Sequence, residues 1–133
     1  MASPKIVGSQ RYVSLDTRRR NGTTVSTAVW IVDLGDGTVG FTTEATAGKV
    51  KRIRNFTEVT LRPCDRRGAV AEGAPTWTGR AEVLTGEAAR PTVRAIRRKY
   101  GWQVVAIDIA SWIRSLRTRR RVEDAAIVIT LDS

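Results

Sequence analysis

The sequence predicts an α+β domain, mainly β: a small antiparallel barrel of about six strands with short flanking helices. Three observations point there. Two hairpin signals, Asn21-Gly22 and Asp36-Gly37, fall early in the chain between β-branched runs. Apolar residues at helical spacing are confined to short stretches after them. The chain then returns to an apolar, β-branched run, "AAIVITL" from Ala125, which suits a final strand.

The elements follow in order. Arg11 to Thr17, "RYVSLDT", alternates and reads as the first strand. Asn21-Gly22 then makes a type I′ hairpin turn, since both residues tolerate positive φ. Thr24 to Leu34 is the second strand, Asp36-Gly37 a further turn and "TVGFTT" the third strand. Thr46 to Arg54 reads as a short helix, with Ala47, Val50 and Ile53 three apart on one side and Thr46 as its N-cap. "TEVTLRPC" is the fourth strand, "DRRG" a turn, and "APTWTGRAEVL" from Ala74 the fifth strand. Thr85-Gly86-Glu87 opens a second helix with Pro91 in its first turn. Val93, Ile96 and Tyr100 line one of its faces, and Gly101 is its stop. Val105, Ile109, Trp112, Ile113 and Leu116 predict a third helix, "TRRRVED" interrupts, and the strand from Ala125 ends the series. No repeat, low-complexity segment or linker divides the chain, so residues 1–133 are expected to form a single domain.

Composition narrows the function. A hydrophobic content of 41% is that of an ordinary globular protein. No apolar run approaches the length of a membrane span, and the N-terminus has no signal-peptide pattern. One cysteine, Cys64, cannot form an internal disulfide, and a cytoplasmic location is expected. The chain has no histidine, which removes histidine triads, histidine-ligated metals and a histidine general base. No metal site is expected. If the protein is an enzyme, its reactive chemistry belongs to a bound cofactor. The net charge of +10 attracts anions, whether nucleic acid, acidic substrate or anionic cofactor.

Gly35 to Gly40, "GDGTVG", matches the dinucleotide fingerprint letter for letter. That fingerprint needs a strand before it and a helix after it. Here Asp36-Gly37 is a hairpin turn and the chain continues as strand, so no Rossmann site is expected.

The stretch "TTEATAGKVKRIRN", Thr42 to Asn55, is more telling. The first turn of a helix carries free N–H groups and the positive end of the macrodipole, where acidic side chains are favoured. This helix begins instead with Lys49, Lys51 and Arg52. Cations there are mildly unfavourable unless an anion binds. Thr42, Thr43 and Thr46 add hydroxyl donors, and Gly48 admits a close ligand, so the segment suits a phosphate. Its alternative is a solvated amphipathic helix with no ligand. A nucleic-acid surface would group Lys49–Arg54 with Arg18–Arg20, Arg66–Arg67 and Arg117–Arg121 and interleave exposed aromatics. Trp30, Trp77 and Trp112 lie in apolar stretches that suit core packing, and no nucleic-acid motif is present.

"NGTTVSTAVWIV", "GFTTEATAGKVKRIRNFTEVTLRPCDRRG" and "TWTGRAEVL" together resemble the pyridoxamine-phosphate-oxidase-like split β-barrel family. Within it, the chain looks like the branch of coenzyme F420-dependent oxidoreductases. The resemblance spans about Arg11 to Gly101, and the "GKVKRIRN" and "CDRRG" segments are its more specific parts. It implies a homodimer with cofactor sites at the subunit interface and a small-molecule substrate. It implies a phosphate or phospholactyl group at Thr42, Thr43, Thr46, Ala47, Gly48, Lys49, Val50 and Lys51, with Lys49 as the phosphate lysine. It places the cofactor ring along the strand Val25–Val29, at Val25, Ser26, Thr27 and Ala28, contacted largely by backbone. Ala45 and Ala47 stand where related proteins carry an arginine or a hydroxyl, which leaves Lys49, Lys51 and backbone N–H groups to hold the phosphate. Lys51, Arg52, Arg66 and Arg67 would suit the anionic tail of F420. The cofactor expected is F420, with FMN as the alternative. No catalytic side chain stands out; Tyr12, Tyr100 or solvent would supply a proton. An FMN-dependent oxidoreductase, a cofactor-binding protein without turnover and a basic nucleic-acid-binding barrel are the rival readings.

Overall fold

The structure, a computed structural model, describes residues 3–45, 47–101 and 124–132. The elements run α1 Pro4–Gly8, β1 Val13–Arg18, β2 Thr24–Val29, β3 Val32–Asp33, β4 Thr38–Glu44, α2 Gly48–Asn55, β5 Glu58–Pro63 and β6 Trp77–Thr85. A 3₁₀ turn at Gly86–Ala89 leads into α3 Arg90–Tyr100, and β7 Asp124–Leu131 is the last strand. The predicted third helix, Val105 to Leu116, and the Arg117–Arg121 run lie outside the described residues.

The strands form one seven-stranded sheet in the order β2-β1-β5-β6-β7-β4-β3, and every neighbouring pair is antiparallel. It is the sheet of a split β-barrel, with β2 and β3 as its edges among the described residues. Among the described residues, no helix is long and apolar enough to cross a membrane.

The expected strand Thr24–Leu34 is in fact two strands at opposite edges of the sheet. The break falls at Trp30-Ile31, and α3 makes it. The Ile31 N–H donates to the Tyr100 hydroxyl at 3.0 Å, and the Ile31 carbonyl accepts from Lys99 Nζ at 2.6 Å. With both backbone groups engaged by a helix, Ile31 cannot continue a ladder. Trp30 stacks on the Tyr100 ring, centroids 4.3 Å apart.

The first hairpin also differs from the expectation. Its closing bonds run from the Gly22 N–H to the Arg19 carbonyl and from the Arg19 N–H to the Thr23 carbonyl. This is a three-residue loop, Arg20 to Gly22, whose last residue is a left-handed glycine, Gly22 at φ 87°, and not a two-residue type I′ turn. Gly35 and Gly37 lie in the β3–β4 turn and Gly40 lies inside β4, so the glycine-rich match is a hairpin, as expected.

Register divides each strand into two faces. Val13, Leu15 and Thr17 of β1 share the inner face with Val59, Leu61, Trp77, Ala81, Ile127, Ile129, Val39 and Phe41, all buried. From α2, Val50 and Ile53 enter this core at 0% and 1% exposure, each contributing about 1.5–3 kcal/mol of burial. α2 packs against β1 and β6. On the outer face, α3 covers β3 and β4. A side chain at Gly40 would meet the Thr92 methyl at 3.2 Å and the Ile127 carbonyl at 2.9 Å, so glycine there permits this packing.

Candidate functional site

Two segments far apart in sequence meet at α2. Arg52 Nε donates to Thr17 Oγ1 at 2.6 Å, and Thr17 is the register partner of Val25 in β2. Lys49, one helical turn before Arg52, donates to Thr43 Oγ1 of β4 at 3.4 Å. Thr17, Val25, Thr27 and Thr43 all belong to the inner face. The site is thus the α2 end of the barrel interior, with β4 on one side and β1–β2 on the other.

Its electrostatics are those of like charges held together. Burial, and then the Arg52 charge, lowers the Lys49 ammonium pKa, while Glu44 opposes the shift. Burial, and then Arg19, lowers the Arg52 guanidinium pKa. Among the described residues the one ion pair is Arg62 with Asp16, at 3.0 Å on the other face of the sheet. Two cations, Lys49 and Arg52, therefore flank the helix start where Gly48 and Lys49 present first-turn N–H groups, and the charge of Arg19 also acts on Arg52. That arrangement favours an arriving anion.

A phosphate group fits this donor set. Lys49 brings a point charge, and Arg52 brings a planar fork suited to phosphate oxygens. Gly48 leaves room: a Cβ there would lie 2.8 Å from Arg52 Nη1. The guanidinium thus folds back over the helix start, in the space that glycine leaves.

The remaining expected site residues divide. Ser26 and Ala28 occupy the outer face of β2. The Ser26 hydroxyl donates to Asp16 at 2.5 Å, and Ala28 faces the Asp65–Gly68 turn, 3.7 Å from the Cβ position of Gly68. Only Val25 and Thr27 share a face with the cations, because a strand presents alternate residues to each side. Thr42 is likewise on the outer face of β4, paired with buried Ala126. Val50 points into the core and its N–H is bonded to the Ala47 carbonyl at 3.1 Å, which leaves its side chain unable to meet a ligand. Ala47 holds the N-cap position expected for Thr46, and Thr46 lies outside the described residues. Lys51 is exposed and turned away from the Lys49–Arg52 side. Tyr100 is a poor proton donor: burial raises its pKa, and its hydroxyl donates to the Arg11 carbonyl at 2.8 Å.

The sequence offers Arg52 both as one of the cations at the helix start and as a partner for the anionic tail, and it gives Thr17 no role beyond ending the first strand. The signal was present as the i, i+3 spacing of Lys49 and Arg52, which puts both on one side of a helix.

A cleft of about 380 Å³ lies on the outer face and is lined by Asp16, Arg18, Glu58, Arg80 and Asp132 among others. The sheet separates it from Lys49, and its three carboxylates oppose an anionic ligand. Among the described residues, no group of three His, Cys, Asp or Glu side chains could hold a metal ion.

No protein-family model matches the chain, and no curated protein does. Solved structures do match it in fold. HutZ, the heme storage protein from Vibrio cholerae, aligns with a TM-score of 0.68 at 9% identity, covering 97% of this chain and 87% of that one. An F420 reductase aligns with a TM-score of 0.58 at 14% identity, covering 100% of this chain and 95% of the other. A protein from Listeria innocua designated a pyridoxamine 5′-phosphate oxidase aligns with a TM-score of 0.57 at 14% identity, covering 97% and 90%. At these identities the likeness is one of fold.

Proposed function

We propose that this split barrel binds coenzyme F420 and transfers hydride to or from an organic substrate, working as a homodimer with the cofactor at the subunit interface. FMN is the alternative cofactor for the same site, and cofactor binding without turnover the alternative activity. The observation that carries the reading is the Lys49–Arg52 pair, two like charges held on one side of α2 beside Thr43 and Thr17. Fold likeness to an F420 reductase and to a pyridoxamine 5′-phosphate oxidase supports it.

The ring of the bound cofactor supplies the hydride chemistry. The chain's own part is to hold and orient. Lys49 and the Gly48 and Lys49 N–H groups grip the phosphate. Val25 and Thr27 place their side chains on the same face, and β2 is an edge of the sheet among the described residues, which suits its outward backbone groups to a ring or a second subunit. The inner-face residues of β1 and β5 keep water from the buried side of the site.

A heme reading follows from the HutZ fold but suits these residues less well. The chain has no histidine, and the Tyr100 hydroxyl is committed to Arg11 and Ile31.

Titration of the apo protein with F420, FMN, heme and single-stranded DNA at two salt levels tests the proposal. Micromolar F420 or FMN binding that Lys49→Ala weakens tenfold or more is expected. Tight DNA binding with a steep salt slope and no cofactor binding would overturn it. Turnover of a quinone or enone acceptor then separates enzyme from carrier.

A further inference from the structure

Among the described residues, Arg52 has one of its five N–H donors committed, Nε–H to Thr17 Oγ1 at 2.6 Å. Thr17 is 2% exposed, so this bond satisfies a buried hydroxyl and fixes the guanidinium at the same time. The far end of the guanidinium lies over Gly48. No carboxylate among the described residues pairs with it. If Arg52 served Thr17 alone, any neutral donor would do, and the repulsion from Arg19 and Lys49 would be a cost without a return. Ala45 and Ala47, meanwhile, bring no donor side chain to the segment that leads into α2.

We propose that Arg52, anchored by Thr17 and admitted by Gly48, is the second phosphate-binding cation of this site and makes it select ligands that carry a phosphate ester. The inference rests on the cofactor reading above and adds to it. Lys49 contributes charge, whereas Arg52 contributes charge with direction, because its fork is already held before a ligand arrives. Thr17 is a positioning residue that acts through Arg52.

The test uses the full chain as wild type, Arg52→Gln, Arg52→Lys and Thr17→Val. The first probe is inorganic phosphate, read as protection against thermal unfolding at matched ionic strength. The second is the pair FMN and riboflavin, which share a ring and differ by the phosphate. Phosphate is expected to raise the Tm of the wild type and to leave that of Arg52→Gln nearly unmoved. Arg52→Gln is expected to weaken FMN binding about tenfold while leaving riboflavin binding unchanged. Thr17→Val and Arg52→Lys are expected to fall between. Equal phosphate protection of wild type and Arg52→Gln, no protection of the wild type, or equal loss of FMN and riboflavin binding would overturn the assignment. Wild-type protein that phosphate protects but that binds no flavin or F420 would instead overturn the cofactor reading and leave the phosphate result to decide Arg52. Should Arg52→Gln fail to fold, Arg52→Lys and Thr17→Val carry the same comparison.

Discussion

Tyr100 stacks on Trp30 with ring planes 9° apart, and its hydroxyl bridges the Ile31 N–H and the Arg11 carbonyl. One side chain at the end of α3 thereby fixes where the chain leaves β2 and crosses toward β3. Tyr100→Phe keeps the stack and leaves the buried Ile31 N–H without its acceptor. It is expected to destabilise the fold by about 1–3 kcal/mol, and Tyr100→Ala by about 3–5 kcal/mol. Urea unfolding with an unchanged m-value checks both; a Tyr100→Phe variant as stable as wild type would show that water serves Ile31 equally well.

Lys99 offers a pH signature. Its Nζ donates to the carbonyls of Gly8, Gln10 and Ile31 at 2.5–2.6 Å, while much of its stem stays in solvent. Burial pulls the ammonium down to about 8 from an ordinary 10.5. Between those values the unfolded chain holds a proton that the folded chain has shed, so stability rises as pH climbs through the window. The three carbonyls favour the charged form and solvent screens the group, so the rise is small. The stability difference between wild type and Lys99→Met is expected to change across that window in denaturant midpoints. A difference constant with pH would mean that Lys99 titrates as a free lysine.

Lys49 couples phosphate binding to protons. Its pKa is held down by burial first and by Arg52 second, and a bound phosphate favours its charged form. Binding above the depressed pKa therefore takes up a proton, and affinity for a phosphate-bearing cofactor is expected to fall as pH rises, before the ordinary lysine range is reached. Calorimetry in buffers of different ionisation enthalpy measures that uptake. The same pH profile in Lys49→Ala would assign the effect to another group.

Gly48→Ala separates stability from binding. The new Cβ meets only the flexible tip of Arg52, at 2.8 Å. Alanine in a helix is worth up to about 1 kcal/mol over glycine. Unfolding stability is expected to hold or rise, while affinity for inorganic phosphate falls severalfold as the guanidinium is pushed aside. Unchanged phosphate affinity would show that Arg52 binds from another position.

The short helix α1, Pro4–Gly8, was not expected from the sequence. From β1 onward the sequence by itself determined the order and type of the elements, except for the split of Thr24–Leu34 into β2 and β3, together with the sites of both early hairpins and the buried side of α2. Those properties are local: turn residues, alternation and three-residue spacing act over a few positions. The failure of the glycine-rich match as a nucleotide site was legible for the same reason. So was Lys49 at the start of a helix that lacks acidic residues.

The tertiary structure alone decided the rest. Nothing in "TAVWIVDL" announces a strand break, because the groups that make it, Lys99 and Tyr100, arrive from 68 and 69 residues further along the chain. Alternation was visible along Val25–Ala28, but which of the two faces meets the cations was not. That choice is set by the pairing of Thr17 with Val25 and by α2 packing across β1. Arg52 acquires its anchor only when those two strands and the helix are assembled. The reason is physical: a hydrogen bond between groups distant in sequence forms only after the core that brings them together has closed.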